Sequence, residues 1–61
     1  MNNIKVKREK YKFTQAYIAE KLQIDKSTVS KWETGESKPR AEKLLQLAQI
    51  FDCTVDELLK D

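Results

Sequence analysis

The 61-residue sequence contains no histidine and has only one cysteine, one glycine and one proline. Without histidine, the chain lacks the side chain that most often serves as general base or metal ligand near neutral pH. A single thiol cannot close an internal disulfide, and without histidine it makes a poor zinc site. The sequence also has no nucleophile–base pair and no glycine-rich loop that could cradle a phosphate. We therefore expect no catalytic residues, no metal and no cofactor.

Long apolar runs are also missing. Hydrophobic residues make up 39% of the chain, but no run approaches 18 residues and no signal-peptide pattern is present, so we expect neither a membrane span nor secretion. The lone cysteine is typical of a reduced, cytoplasmic protein. Sixty-one residues give room for one domain. Met1 and the lack of a trailing linker favour an intact protein, and we expect residues 1–61 to form a single domain.

The charge is unevenly distributed along the chain. Residues 1–32 hold eight basic and three acidic side chains, a net charge of +5, whereas the remaining residues hold four basic and seven acidic, a net −3. The formal total of +2 conceals this asymmetry. A basic half joined to an acidic half is expected of a polyanion-binding face, although an uneven solvated surface is the simpler alternative.

Apolar residues recur at helical spacing throughout, and no segment alternates long enough to be a strand. The pattern predicts five helices, over about residues 3–11, 15–22, 26–34 and 41–51 and from residue 55 onward. Thr14 and Asp25 stand where N-caps are expected, and Gly35 follows a helix as a C′ glycine would. Thr54 and Glu57 have the spacing of a capping box.

The segment from Gln15 to Trp32 is the most informative. Two helices of about eight residues joined by three residues must cross steeply, which is the helix-turn-helix geometry of roughly 90–120°. Ala19 supplies the small residue that the close approach requires. Apolar contacts are expected from Ile18, Leu22, Ile24, Val29 and Trp32. We also expect Tyr11 and Cys53 to pack in the core, and Leu44, Leu45, Leu47, Ala48 and Phe51 to form one apolar face.

An amphipathic second helix leaves four polar side chains on its outer face, namely Lys26, Ser27, Ser30 and Lys31. The N-terminal half of such a helix is the part that enters a DNA major groove, where lysine donates to guanine O6 and N7 and serine pairs with several base edges. Lysines that merely solubilise the helix are the alternative.

The residues in this segment and beyond it resemble the Cro/phage-repressor-like helix-turn-helix transcriptional regulators, often called xenobiotic-response-element type. The resemblance runs from about Ile4 to Leu59, and it is strong because several weak motifs occur in register. These motifs are Gln15-x-x-Ile18-Ala19, Val29-Ser30-Lys31-Trp32-Glu33-x-Gly35, Pro39 and Leu44…Leu47-Ala48. The resemblance implies an all-α, compact five-helix, lambda-repressor-like DNA-binding domain with its helix-turn-helix at about residues 15–34. It also implies that helix 2 rests on the DNA backbone while helix 3, about residues 26–34, lies in the major groove.

The resemblance also implies roles for particular residues. Base contacts are expected from Lys26, Ser27, Ser30 and Lys31. Contacts to the DNA backbone are expected from Gln15 and Thr28. Beyond the resemblance, we also expect such contacts from Thr14, Tyr17, Lys12 and Lys38, with a solvated Tyr17 as the alternative. Arg8 and Glu33 resemble the partly buried ion pair that ties helix 1 to the end of helix 3. The sequence departs from the family at Lys12, Gln23 and Asp52, where glycine is usual, and a left-handed backbone there would strain each residue by about 1 kcal/mol.

Together these observations predict a sequence-specific regulator that binds double-stranded DNA, of bacterial or phage origin. One such module buries only about 600–1,000 Å² on DNA, so we expect a homodimer, at least on DNA, through the C-terminal helices. The candidate dimer residues are Phe51, Val55, Leu58 and Leu59. The alternative is a protein-interaction module, such as an antitoxin-like partner with secondary DNA binding.

Overall fold

The computed structural model describes residues 3–59, which form five α-helices and no strand. The helices are α1 (Ile4–Lys10), α2 (Gln15–Leu22), α3 (Lys26–Thr34), α4 (Ala41–Ile50) and α5 (Val55–Leu59). The predicted all-α architecture is confirmed, with helix ends within one residue of those expected. Met1, Lys60 and Asp61, which entered the sequence argument, lie outside the described residues. No helix within residues 3–59 is long and apolar enough to cross a membrane.

Of the three predicted N-cap residues, two accept a backbone N–H through their side chains. Thr14 Oγ1 accepts the backbone N–H of Tyr17 at 3.0 Å, and Thr54 Oγ1 accepts that of Glu57 at 3.1 Å. Asp25 occupies the N-cap position of α3, but within the described chain its carboxylate accepts no capping bond. The carboxylate of Glu57 accepts from Lys7 Nζ at 3.3 Å, so it takes part in a contact between α5 and α1.

The core is built from all five helices. Its buried members are Ile4, Ile18, Ala19, Leu22, Val29, Trp32, Leu47, Ala48, Phe51 and Leu58. The predicted helix-turn-helix contacts are confirmed, since Ile24 also packs against this cluster. Two expectations were wrong. Tyr11 is 40% exposed and Leu45 is 60% exposed.

Tyr11 lies outside the core because α1 ends one residue before it. The chain leaves the helix at Tyr11, and the ring stacks on Phe13 and Phe51 with centroids 5.7 and 6.3 Å away. The Phe51 side chain is fully buried, so the tyrosine covers it from the surface.

Two residues of the predicted dimer surface belong to the core. Phe51 and Leu58 have no exposed area, whereas Leu59 is 53% exposed and Val55 is half-buried. The error arose because helical spacing shows that apolar residues share a face without showing what covers that face. In this chain, α5 turns its apolar side toward its own domain.

In the helix-turn-helix, α2 packs directly against α3. A Schellman motif ends α2: the N–H of Gln23 bonds to the carbonyl of Glu20 at 3.2 Å and that of Ile24 to Ala19 at 3.0 Å. Lys43 of α4 adds a bond from Nζ to the carbonyl of Leu22 at 3.0 Å. The start of α3 is therefore held to the core through the end of α2.

The three positions where the family usually has glycine all keep a left-handed backbone. The φ angles are 60° at Lys12, 58° at Gln23 and 51° at Asp52. The same pair of Schellman bonds forms at Lys12 and Asp52 as at Gln23. Because these bonds require a left-handed residue, the chain retains the turn geometry and accepts the strain of a side chain there.

The residue after each left-handed position packs against the core, as hydrophobic residues do in Schellman motifs. These residues are Phe13, Ile24 and Cys53. Burial raises the pKa of the Cys53 thiol, which keeps the thiol protonated and weakly nucleophilic. Cys53 therefore acts as a small apolar residue at a helix end.

Gln23→Gly is expected to raise the free energy of unfolding by about 0.5–1 kcal/mol. Glycine relieves about 1–2 kcal/mol of left-handed strain but loses about 0.4–1 kcal/mol through the greater freedom of the unfolded chain. Urea denaturation followed by circular dichroism measures the difference. Gln23→Ala is the matched control, because alanine also removes the long side chain but keeps the strained β carbon. Equal stability of the glycine and alanine variants would contradict the assigned strain.

Candidate nucleic-acid interface

Helix α3 presents a polar face opposite its core residues. Lys26, Ser27 and Lys31 are exposed, while Val29 and Trp32 are buried. The helical period accounts for this division, since Val29 and Trp32 are three residues apart and the exposed residues fall between and before them. The face therefore offers ammonium and hydroxyl donors without a large apolar side chain.

The first residue of α2 lies beside this polar face. Gln15 lines one concavity together with Ser30 and Glu33, and an adjoining concavity together with Thr14 and Lys26. The structure thus brings together four of the predicted DNA-contacting residues from two helices. Arg8 lines both concavities, so a basic residue of α1 lies behind them.

Arg8 and Glu33 form a two-pronged ion pair with little exposure to solvent. Arg8 Nε lies 2.6 Å from Glu33 Oε2 and Nη2 lies 3.2 Å from Oε1. The side chains are 13% and 4% exposed, respectively. The hydrogen bond to Glu33 raises the pKa of Arg8, and Nη1 also donates to the carbonyl of Phe13 at 2.9 Å. The pair therefore joins α1, the turn before α2 and the C-terminal part of α3.

Gln15 is attached to this ion pair. Its Nε2 donates to Glu33 Oε1 at 3.0 Å, so the amide is hydrogen-bonded within the protein. The resemblance had suggested a phosphate contact for Gln15 without indicating any such partner. The contact with Glu33 could not have been found from sequence spacing, because the two residues lie eighteen positions apart on different helices.

Tyr17 does not line either of these two concavities. Its ring contacts Phe13 at 4.6 Å between centroids, with Lys21 Nζ 5.5 Å from the Tyr17 centroid. It lines a groove between α2 and α4 beside Gln46 and Ile50. The structure therefore does not group Tyr17 with Lys26 and Ser30.

The remaining predicted backbone contacts are more dispersed. Lys12 and Lys38 are exposed, in the turn before α2 and in the loop after α3, and Thr28 is half-buried. Glu36 was not predicted to belong to this surface. Its Oε2 lies 3.9 Å from Lys31 Nζ, and both side chains are more than half exposed. Within residues 3–59, no cluster of three or more acidic or cysteine side chains could hold a metal ion.

Comparison with known proteins identifies the family. A profile of the helix-turn-helix family matches residues 4–58, and the chain belongs to this family. The family is one of DNA-binding transcriptional regulators and not of enzymes. This membership confirms the family expected from the sequence motifs.

Individual relatives are also named as repressors or transcriptional regulators. The chain is 44% identical over 52 residues to the HTH-type transcriptional regulator AnsR of Bacillus subtilis, covering 85% of this chain and 45% of the relative. It is 35% identical over 57 residues to repressor protein C2 of Salmonella phage P22, covering 93% of this chain and 26% of the relative. The chain therefore spans less than half the length of these relatives.

A solved structure of similar fold contains DNA. The crystal structure of the P22 c2 repressor protein in complex with a synthetic operator matches with a TM-score of 0.87 and 34% sequence identity. The match covers 95% of this chain and 88% of the other. It confirms the lambda-repressor-like arrangement of the five helices.

Proposed function

We propose that this chain is a sequence-specific, double-stranded DNA-binding transcriptional regulator. The observation that carries the proposal is the placement of Gln15, at the start of α2, beside Lys26 and Ser30 on the outer face of α3. The similarity to a repressor crystallised in complex with a synthetic operator supports DNA as the partner. The net charge of +5 over residues 1–32 favours a polyanion there.

In this proposal α3 lies in the major groove and reads bases through Lys26, Ser27, Ser30 and Lys31. The two lysines donate to guanine O6 and N7, and the serine hydroxyls pair with base edges as donor or acceptor. Phosphates are bound by Gln15 and Thr14 at the start of α2, where free backbone N–H groups also favour an anion. Tyr17, Thr28, Lys12 and Lys38 complete the phosphate contacts.

We further propose that residues 1–61 act as one domain in the cytoplasm of a bacterium and bind DNA as a homodimer. One module offers only about 600–1,000 Å² to DNA, and dimers of this class read half-sites about 34 Å apart. Leu59 is 53% exposed and Val55 is half-buried, so these residues of α5 are available to a partner. Phe51 and Leu58 support the surface from within.

Lys26→Ala is expected to relax base preference at one position of the binding site. Loss of a base-reading donor costs about 1–3 kcal/mol for the preferred base and little for the others. Fluorescence anisotropy with duplexes that differ at single positions measures this effect. Lys38→Ala is the comparison variant, because loss of a phosphate contact weakens all sequences alike and reduces the salt slope by about one. Uniform weakening by Lys26→Ala would contradict base reading by this residue.

Glu36→Gln is expected to tighten DNA binding about two- to fivefold at low salt. The exposed pair with Lys31 is worth at most about 1 kcal/mol, and this amount is released to DNA when the carboxylate is removed. The same anisotropy measurement at several salt concentrations detects the gain and its loss at high salt. Asp56→Asn removes the same charge from α5, distant in sequence, and controls for net charge. A gain no larger than that of Asp56→Asn would show that Glu36 does not compete with DNA for Lys31.

A further inference from the structure

We infer that Glu33 is a positioning residue for Gln15, fixing which groups of the Gln15 amide face the DNA. The inference rests on the proposed function. Three hydrogen bonds converge on the Glu33 carboxylate: two come from Arg8, at 2.6 and 3.2 Å, and one comes from Gln15 Nε2, at 3.0 Å. The carboxylate is held from one side by a guanidinium and presents its remaining capacity to the amide.

The chemistry of the carboxylate selects one orientation of the amide. An ionised carboxylate can only accept hydrogen bonds, whereas a glutamine amide has an accepting oxygen and a donating amino group. The amino group of Gln15 must therefore face Glu33, because the opposite orientation would place oxygen against oxygen. One N–H is used by Glu33, so the second N–H and the carbonyl oxygen remain for other partners.

The remaining N–H of Gln15 can donate to an acceptor, and its carbonyl oxygen can accept from a donor; this position offers both. A phosphate oxygen accepts the second N–H of Gln15. The carbonyl oxygen accepts from a donor, and Lys26 lines the same concavity as Gln15. Without Glu33, the amide could turn freely and would have to be ordered when DNA binds, at a cost in affinity.

The link also connects the two helices of the motif. Glu33 belongs to α3 and Gln15 begins α2, while Arg8, which donates two hydrogen bonds to Glu33, belongs to α1. The orientation of the phosphate-binding amide is thus set by the same helix that carries the base-reading residues. A displacement of α3 would therefore move the Gln15 amide with it.

Side-chain amide NMR of the free protein tests the orientation directly. In the wild-type chain, one of the two Nε2 protons of Gln15 is expected to be shifted downfield and slowed in exchange with water. In Glu33→Gln both effects should disappear, because glutamine at 33 offers an oxygen or an amino group and no longer selects one orientation. Arg8→Met/Glu33→Leu should show the same loss, since leucine offers no acceptor, and it replaces Glu33→Gln if that variant does not fold. Unchanged Gln15 amide signals in Glu33→Gln would overturn the inference.

A double-mutant cycle on DNA affinity tests the consequence, with a duplex enriched by selection as the probe. Glu33→Gln is expected to weaken binding about three- to tenfold when Gln15 is present, the effect of releasing one ordered side chain. In a Gln15→Ala background the same substitution should change affinity less than about twofold. The variant Arg8→Met/Glu33→Leu removes the carboxylate without leaving an unpaired charge, and it serves for the same cycle if Glu33→Gln does not fold.

The outcomes separate this inference from the proposed function. Equal weakening in both backgrounds, with a wild-type chain that prefers one sequence, would show that Glu33 acts only through stability and would overturn the inference alone. A wild-type chain without any sequence preference would overturn the proposed function and the inference with it. Coupling between Gln15 and Glu33 supports both.

Discussion

Arg8→Met is expected to lower the free energy of unfolding by about 3–5 kcal/mol. The Glu33 side chain is only 4% exposed, so removing the guanidinium leaves a buried carboxylate whose remaining side-chain partner is the amide of Gln15. The bond from Arg8 Nη1 to the Phe13 carbonyl is lost as well. Since a core of this size rarely supplies more than about 3–5 kcal/mol, the free energy of unfolding of the variant should be near zero, with a large fraction unfolded at 25 °C. Urea denaturation, with circular dichroism at zero denaturant, measures both quantities.

A second ion pair formed by a basic residue of α1 supplies the control. Lys7 and Glu57 form an ion pair at 3.3 Å with side chains 20% and 50% exposed. Lys7→Met should cost less than about 1 kcal/mol, because solvent screens this pair and can hydrate the carboxylate that remains. Arg8→Met/Glu33→Leu should recover most of the lost stability. If Arg8→Met costs no more than Lys7→Met, the buried pair does not have the role assigned to it.

Phe51→Ala is expected to destabilise the domain by about 3–5 kcal/mol. Phe51 is fully buried, and its ring lies near those of Tyr11 and Phe13, with centroids 6.3 and 6.4 Å away. Truncation removes a large apolar group and leaves a cavity between α4 and the turn before α2. Thermal and urea denaturation should both report the loss.

The same variant would also show whether Phe51 belongs to the core or to a dimer interface. Because Phe51 is buried within one chain, the loss should be independent of protein concentration, whereas a dimer contact would make stability concentration-dependent. Leu59→Ala is the matched control, since Leu59 is 53% exposed and its truncation should change monomer stability by less than about 0.5 kcal/mol. A Phe51→Ala loss that grows as protein concentration rises would restore Phe51 to the dimer surface, because only the wild type would gain stability from dimerisation.

The helix ends could be predicted because the signals that set them are local. Thr14 and Thr54 accept backbone N–H groups three residues ahead, and the spacing of Val29 and Trp32 fixes the buried face of α3. Asp25 shows the limit of such signals. The residue type and position were those of an N-cap, but the carboxylate makes no capping bond within the described chain.

The tertiary contacts could not be predicted from the same patterns. Helical spacing placed Phe51 and Leu58 on apolar faces without showing that those faces are covered by the chain itself. It also placed Gln15 at the start of α2 without showing its bond to Glu33, since that contact depends on how three helices are arranged. The left-handed backbone at Gln23 was expected only from the family, and the φ angle of 58° now shows that it is kept.

Selection of binding sites from random double-stranded DNA, at two salt concentrations, tests the proposed function most directly. The proposal predicts an enriched motif, arranged as two half-sites about 34 Å apart. Affinity for that motif should fall steeply as salt rises, because phosphate contacts release counterions. Recovery of no enriched motif, or an affinity that depends on salt but not on sequence, would contradict sequence-specific DNA binding by this chain.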